Sequence, residues 1–410
     1  MLPQSDSGLW EISIEVNTMQ EKFDWKKFLL TTLSYVAVAV AASAVTLTLW
    51  GQGSSKLSEV EQMVDRYFIG DADLEAARDA AANAFIEALG DRWSYYVPAD
   101  EYKAYAESKE NVYVGIGVTI AEREDKTGFD IREVVFGGSA QEQGVQPGDI
   151  LIAVEGQSVA NMTNAEVKQK IQGQEGTDVI VSVLRDGKQL DFTLRRKKIE
   201  VEVAKGQMLP GNIGLVRINN FNTGCADETI AAVKQLQQAG AVALIFDVRN
   251  NPGGYVNEMV KVLDYLLPED LVLFREENYR GKTNARYSDA TCVELPIAVV
   301  VNARSYSAAE FFPAALSEHN WATVVGEKTV GKGYYQNTLH LSDGSALNLS
   351  TGKYFTPKGN NLSEMGGLTP DVPIAVTDEK MDALIYAQLL PVEEDIQIQA
   401  AVATLLEKLK

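Results

Sequence analysis

The sequence predicts a multidomain α/β chain standing behind a single membrane span. Three observations lead to this. A stretch of 23 residues from Phe28 to Trp50 carries no charge. From Ile213 onward, short unbroken apolar runs alternate with segments of helical spacing, the pattern of strands buried on both faces. The length of 410 residues exceeds what one hydrophobic core usually organises; at about 100–200 residues per domain, two or three domains are expected. With 46% hydrophobic and 23% charged residues the chain is neither disordered nor of low complexity. A net charge of −20 repels phosphate backbones and excludes nucleic acid as a partner. Two cysteines, Cys225 and Cys292, cannot make a disulfide framework or a four-cysteine zinc site. Two histidines, His319 and His340, weigh against His-rich metal centres and against a Ser-His-Asp triad.

The apolar run 28–50 is long enough as a helix, roughly 34 Å, to cross a hydrocarbon core of about 30 Å. Trp25 and Trp50 bracket it as interfacial aromatics do. A cleaved signal peptide has a shorter apolar run, starts near the N-terminus and ends at a small-x-small site, so an uncleaved anchor is expected. Lys22, Lys26 and Lys27 precede the span and only Lys56 closely follows it. The positive-inside bias then places a tail, 1–27, in the cytoplasm and the rest of the chain outside a cell membrane, with lipid as a partner of the span. That compartment permits a Cys225–Cys292 disulfide, and nothing requires one.

After a short linker, 51–56, the apolar spacing from 57 to about 110 is helical and predicts two or three helices. The turn GDRWSYYVPADEY (90–102) joins the last pair, with Asp100 as a candidate cap. From 112 to 198 the pattern changes to short strands and glycine turns. VGIGVTI is a glycine loop entering a strand. SAQEQGV is a short helix, PGDILIAVEGQSV two strand pieces, NAEVKQKI a helix capped at Thr163 or Asn164, and TDVIVSVLRDGKQLDFTLRR a hairpin turning at Asp186-Gly187. That order resembles a PDZ domain, which implies capture of a peptide C-terminus: loop N–H groups hold the carboxylate and the peptide adds a strand to a sheet edge. The loop expected to do this is Val114, Gly115, Ile116 and Gly117. Alone, such a Gly-x-Gly is as readily a tight strand entry.

The third region, 199–375, reads as α/β. Strands are expected at 213–219, 242–249, 296–302 and 323–327, with helices at 226–240 and 257–267. Sheets of this kind place their sites in loops at the strand C-termini, and three segments fall there. In DVRNNPGGYV, Gly253 and Gly254 can present bare N–H groups to a ligand, or merely turn the chain. In VNARSYSAAEFFPAAL, Ser307 precedes a helix. It is either an N-cap, with Glu310 completing a capping box, or a nucleophile at a helix N-terminus that favours an oxyanion, and one residue can serve as both. In GEKTVGKGYYQ, Lys332 lies between two glycines. A basic lysine must be neutral near pH 7, hence partly buried and without a carboxylate partner. Val330, Gly331, Gly333, Tyr334 and Tyr335 suit such a setting, and Gln336 can bond the amine without charging it. The plain alternative is a solvated turn lysine.

NNPGG, SYSAAE and GEKTVGKGYYQ together resemble the C-terminal processing peptidases. In that Ser/Lys endopeptidase family a Ser-Ala-x-Glu serine is followed 25 residues later by a Gly-Lys-Gly lysine, and a glutamine stands four residues beyond. Ser307, Lys332 and Gln336 keep both intervals. The likeness extends over nearly the whole chain, from the anchor through GDRWSYY and the inserted PDZ to KYFTPKGNNL, GGLTPDV and DIQIQAA. It implies a ClpP/crotonase-like peptidase core with a helical N-terminal segment. It also implies a mechanism: Lys332 deprotonates Ser307, Gln336 orients the amine, and the Ala308 N–H with one N–H of Gly253-Gly254 holds the oxyanion. No cofactor or metal is implied, and the partner is a polypeptide with a free C-terminus. Two positions depart from the family pattern. Arg92-Trp93 stands where Asp-Pro is common, and Tyr306 stands where a small residue is usual, so that it either crowds the groove or forms its wall. Rival readings are an inactive membrane-tethered PDZ scaffold, a cytoplasmic acyl-CoA enzyme, which needs neither PDZ nor anchor, and catalysis by His319. The intact Ser/Lys/Gln spacing disfavours the first. The last segment, 376–410, has a broad apolar face, from Leu384 to Leu409, that either docks on the core or makes a homo-oligomer; the expectation leans to the oligomer.

Overall fold

The computed structural model describes residues 55–410 except 124, 136 and 387, and before them 26, 29–30, 32–38 and 40. The expected span 28–50 therefore lies largely outside the described residues; those of its positions that are described are helical. Among the described residues no helix is long and apolar enough to cross a membrane. The chain forms two compact units, 1–78 and 79–410. In the first, helix Lys56–Tyr67 is capped by Ser55, whose hydroxyl accepts from the Ser58 N–H.

The core of the second unit is a six-stranded sheet in the order Ala204–Leu209, Ile213–Ile218, Ala243–Asp247, Ile297–Val301, Ala322–Gly326, Val372–Pro373. The first pair is antiparallel and the remaining neighbours are parallel. The central strands Ala243–Asp247 and Ile297–Val301 are buried along their whole length because both faces are covered. On one face Val216, Phe246, Val299 and Val324 pack with Val233, Val262 and Phe312 from the helices Cys225–Gln238, Val256–Leu266 and Ala308–Glu318. On the other, Leu215, Ile245, Val300 and Val325 pack with Ile398, Ala401 and Leu405 of the final helix Ile396–Lys408. Side chains alternate across a strand, so each strand contributes to both layers. Docking on its own sheet, not the homo-oligomer expected from 376–410, accounts for those three residues of the last segment, while Ile396, Leu406 and Leu409 stay exposed.

A second sheet is antiparallel throughout. Its centre, Ala346–Phe355, pairs with Tyr334–His340 along one edge. Its other edge pairs with Tyr95–Val97 near the start and with Val272–Asn278 near the end. The strand at 95–97 is not apparent from sequence. It carries the 90–94 turn into the peptidase region, and the helix after it, Ala99–Lys109, is preceded by Pro98, with Asp100 in its first turn instead of at its cap.

The inserted domain is a sheet of Val118–Glu122, Phe129–Val134, Ile150–Val154, Asp178–Arg185 and Lys188–Arg195, with helix Asn164–Ile171 capped by Thr163 in a full capping box. Phe129, Leu151, Val167, Val179 and Leu194 form its core. Val112–Gly115 pairs antiparallel with Lys197–Glu200, so chain entry and exit are clasped together. This corrects the expected loop: Val114 and Gly115 lie in that strand, opposite Lys198 and Lys197, and only Ile116 and Gly117 form the bend into Val118–Glu122. Both cysteines are free thiols, and Cys225 is buried.

Candidate active site

Three loops leave the C-terminal ends of adjacent parallel strands: 248–255, 302–307 and 327–333. Buried polar groups stitch them together. The Ser305 hydroxyl donates to the Val248 carbonyl at 2.8 Å. The Tyr306 N–H donates to the Asn251 carbonyl at 3.2 Å and the Val330 N–H to the Ser305 carbonyl at 3.2 Å. Below them Arg249 is buried between Asp247 and Asp395, its Nη2 2.8 and 2.7 Å from their carboxylates. Burial works against the Asp247 charge, but Arg249 and Arg217 outweigh it and hold the carboxyl below its usual range.

Ser307 has φ 60° and ψ −127°, an outlier for a residue with a side chain. A turn of this kind stores strain, and surrounding bonds must hold it. Glu310 supplies them. Its carboxyl group is fully buried and accepts from the Ser307 N–H at 2.8 Å, the Gly331 N–H at 2.7 Å, the Lys332 N–H at 2.8 Å and the Thr329 hydroxyl. The capping role read from Ser-x-x-Glu is therefore half of what this side chain does. The other half, fastening the 329–332 loop, has no local sequence signal.

Gly253 and Gly254 lie against the same turn. A Cβ on Gly253 would stand 2.8 Å from the Ser307 Cβ and 3.0 Å from the Ala308 nitrogen. Gly254 has φ 150°, and a Cβ there would stand 2.3 Å from the Phe221 carbonyl carbon. The Gly253 N–H already donates to Asn251 Oδ1 at 2.8 Å. Of the two glycines, Gly254 is the one that can offer its N–H to a ligand beside Ala308.

Ser307, Lys332, Gln336, Gly253 and Gly254 all line one cavity of about 510 Å3. Lys332 is partly buried. Burial pushes its amine down to about 8; the charges of Lys109 and Arg92 act in the same direction, and Asp91 and Glu310 oppose them. The solvated turn lysine is thus not what the fold makes of this residue. Its Nζ lies 4.7 Å from the Trp93 ring centroid and 5.8 Å from that of Tyr306. Gln336 Nε2 donates to the Ser350 hydroxyl at 3.0 Å and the Tyr334 carbonyl at 3.3 Å, so its amide is engaged across the second sheet. Asp91 enters the same neighbourhood, a residue the sequence reading passed over. Partial burial raises its carboxyl, but Ser350, Ser94, the Trp93 N–H and the Lys332 charge hold it below its usual range. His319 bonds the Val272 carbonyl at 2.7 Å and is structural. Among the described residues no cluster of acidic, histidine and cysteine side chains could hold a metal ion.

In the inserted domain a second cavity, about 290 Å3, lies between the edge strand Val118–Glu122 and helix Asn164–Ile171. Ile116, Gly117, Ile120, Lys168 and Ile171 line it, with Gly115 at one end.

Known proteins match this architecture. Residues 212–374 fit the peptidase family S41 and residues 109–184 the PDZ domain. The chain is 28% identical over 386 residues to a protein of Staphylococcus saprophyticus assigned as a CtpA-like serine protease, covering 89% of this chain and 78% of that one. It is 31% identical over 300 residues to the protein so assigned in Staphylococcus haemolyticus, covering 72% and 60%. A crystal structure of a Bacteroides fragilis protein assigned as an S41 protease shares the fold, with a TM-score of 0.52, 16% identity and 80% and 90% coverage. With a strained serine turn and a lysine loop on one buried carboxyl group, and these relatives beside it, the chain belongs to peptidase family S41 and is a serine peptidase carrying a PDZ domain.

Proposed function

We propose that this peptidase is a membrane-anchored endopeptidase that cuts extracytoplasmic polypeptides near their C-termini. Ser307 is the nucleophile and Lys332 the base. The carrying observation is the shared hold of Glu310 on the main chains of both residues, in a cavity that partly strips the lysine of water. Neutral Lys332 takes the Ser307 hydroxyl proton as the oxygen bonds to the peptide carbonyl carbon. The Ala308 and Gly254 N–H groups receive the resulting oxyanion; one such donor is typically worth about 10²–10³ in rate. The Lys332 ammonium then protonates the leaving amine as the C–N bond breaks. Water, deprotonated by the same lysine, hydrolyses the acyl-enzyme. Gln336 orients the amine through its free amide oxygen.

The PDZ domain takes the substrate C-terminus. Val118–Glu122 is an edge strand open to an added strand, and Ile116, Ile120 and Ile171 offer an apolar wall beside it. The uncharged run 28–50 is the anchor, and its flanking lysines set the catalytic part outside.

The test uses the full chain in detergent with casein as an unstructured substrate, products being read by mass spectrometry. Ser307→Ala and Lys332→Ala are both expected to abolish cleavage while leaving the folded signal unchanged. Wild-type cleavage by Ser307→Ala would refute the nucleophile, and a merely twofold loss in Lys332→Ala would remove the lysine as base.

A further inference from the structure

Trp93 and Tyr306 are far apart in sequence and stack on each other, with ring centroids 5.7 Å apart and planes 27° apart. The Lys332 amine lies against both. We infer that Trp93 and Tyr306 form a two-ring clamp that holds Lys332 in its ammonium form, which makes them positioning residues that set the pH at which the base becomes available. The inference rests on the reading of Lys332 as base.

The clamp is built into the fold. The Trp93 N–H donates to Asp91 Oδ1 at 3.1 Å, the Ser94 hydroxyl to Asp91 Oδ2 at 2.6 Å, and the Ser350 N–H to the Ser94 hydroxyl at 2.9 Å. The Trp93 main chain is thereby tied to the sheet that carries Gln336. Tyr306 is fixed from the other side by its bond to Asn251. An aromatic face attracts a cation and is indifferent to a neutral amine, so the rings favour the protonated lysine. Several groups face the amine. Arg92 and Asp91 come from the 90–94 turn, Lys109 from the end of helix Ala99–Lys109, and Glu310 from helix Ala308–Glu318. Burial, Lys109 and Arg92 favour the free amine; Asp91, Glu310 and the rings favour the ammonium. Arg92 also lies over the indole, 4.2 Å from its centroid, so two cations draw on one ring. Removing the ring while keeping its bulk should therefore release the proton at lower pH.

The experiment measures kcat/KM for casein against pH with the full chain in detergent. Trp93→Leu keeps an apolar filler and loses the ring. Its acid limb is expected to move down by roughly half a pH unit, so that the fraction of its own alkaline plateau reached at pH 6.5 rises about threefold. Trp93→Phe keeps a ring and should stay near wild type. Tyr306→Leu should shift the same way by less, its ring being farther from the amine. An acid limb that is unmoved or moved upward in Trp93→Leu, or moved equally in Trp93→Phe, overturns the clamp. A readout free of chemistry separates this from the base assignment. In Ser307→Ala protein, the indole emission lost on Trp93→Phe should show a pH step that disappears when Lys332→Ala is added. If Lys332→Ala still cleaves casein, the base assignment falls; a step lost with the lysine then upholds the clamp, and a step that survives overturns it.

Discussion

The main chains of Ser307 and Lys332 hang on one buried carboxyl group, whereas the side chains that would react rest on softer partners. Glu310 reaches three backbone N–H groups and a hydroxyl from two loops. The Lys332 amine rests on two ring faces, and Gln336 is tied to Ser350. Hydrogen bonds to a buried carboxyl group are short and directional, while a ring holds a cation over a broad face. The difference teaches where this site is rigid and where it can move. Glu310 pre-positions the two loops at their main chains.

The rigid half is the place to break this contrast most severely. Glu310→Gln puts an NH2 group where donors converge. Leaving buried donors unsatisfied costs roughly 3 kcal/mol, which would lower Tm by about 6–12 °C. Displaced loops should also lower kcat about 10²-fold or more. Thermal unfolding and turnover measured together check this, and a stable, active variant would mean that the loops hold themselves. Gly254→Ala comes next. With a Cβ forced against Phe221, the loop must shift and carry its N–H away from Ala308, at a loss of about 10² in kcat with KM little changed. The soft half is read by pH. A base held down to about 8 is mostly protonated at neutral pH. Below that value kcat/KM should therefore rise about tenfold per unit and level off above it; a flat profile from pH 6 to 9 would contradict a lysine base. The smallest effect belongs to the inserted domain. Amidating the substrate C-terminus should raise KM several-fold and leave kcat alone, and equal KM values would exclude carboxylate capture in the groove beside Val118–Glu122.

Much of this was legible in the linear chain. The apolar runs in 213–219, 242–249, 296–302 and 323–327 became parallel neighbours, and the polar Arg217 and Asp247 within them pair across two adjacent strands. Spacing alone leaves Ser307, Lys332, Gln336 and the two glycines open to plainer readings; the family resemblance singles them out, and they do line one cavity. Other features were not legible. The strand Tyr95–Val97 is three residues long and exists only because Ala346–Asn348 pairs with it. Gly-x-Gly suggests a loop at Val114 and Gly115, yet their partners are Lys198 and Lys197 at the far end of the insert.

What the sequence determined by itself was local: the uncharged run, the alternation of strand and helix, the order of elements in the insert and the intervals between reactive residues. The run, the alternation and the element order follow from local side-chain periodicity and turn chemistry, while the 25-residue interval from Ser307 to Lys332 has meaning only through the family resemblance. The tertiary structure decided that Glu310 holds the lysine loop, that the final helix covers its own sheet, and that Trp93 meets Tyr306 over Lys332. These contacts join residues from about twenty to more than two hundred positions apart. No local rule reaches that far, because loop closure brings such groups together only after the sheets have formed.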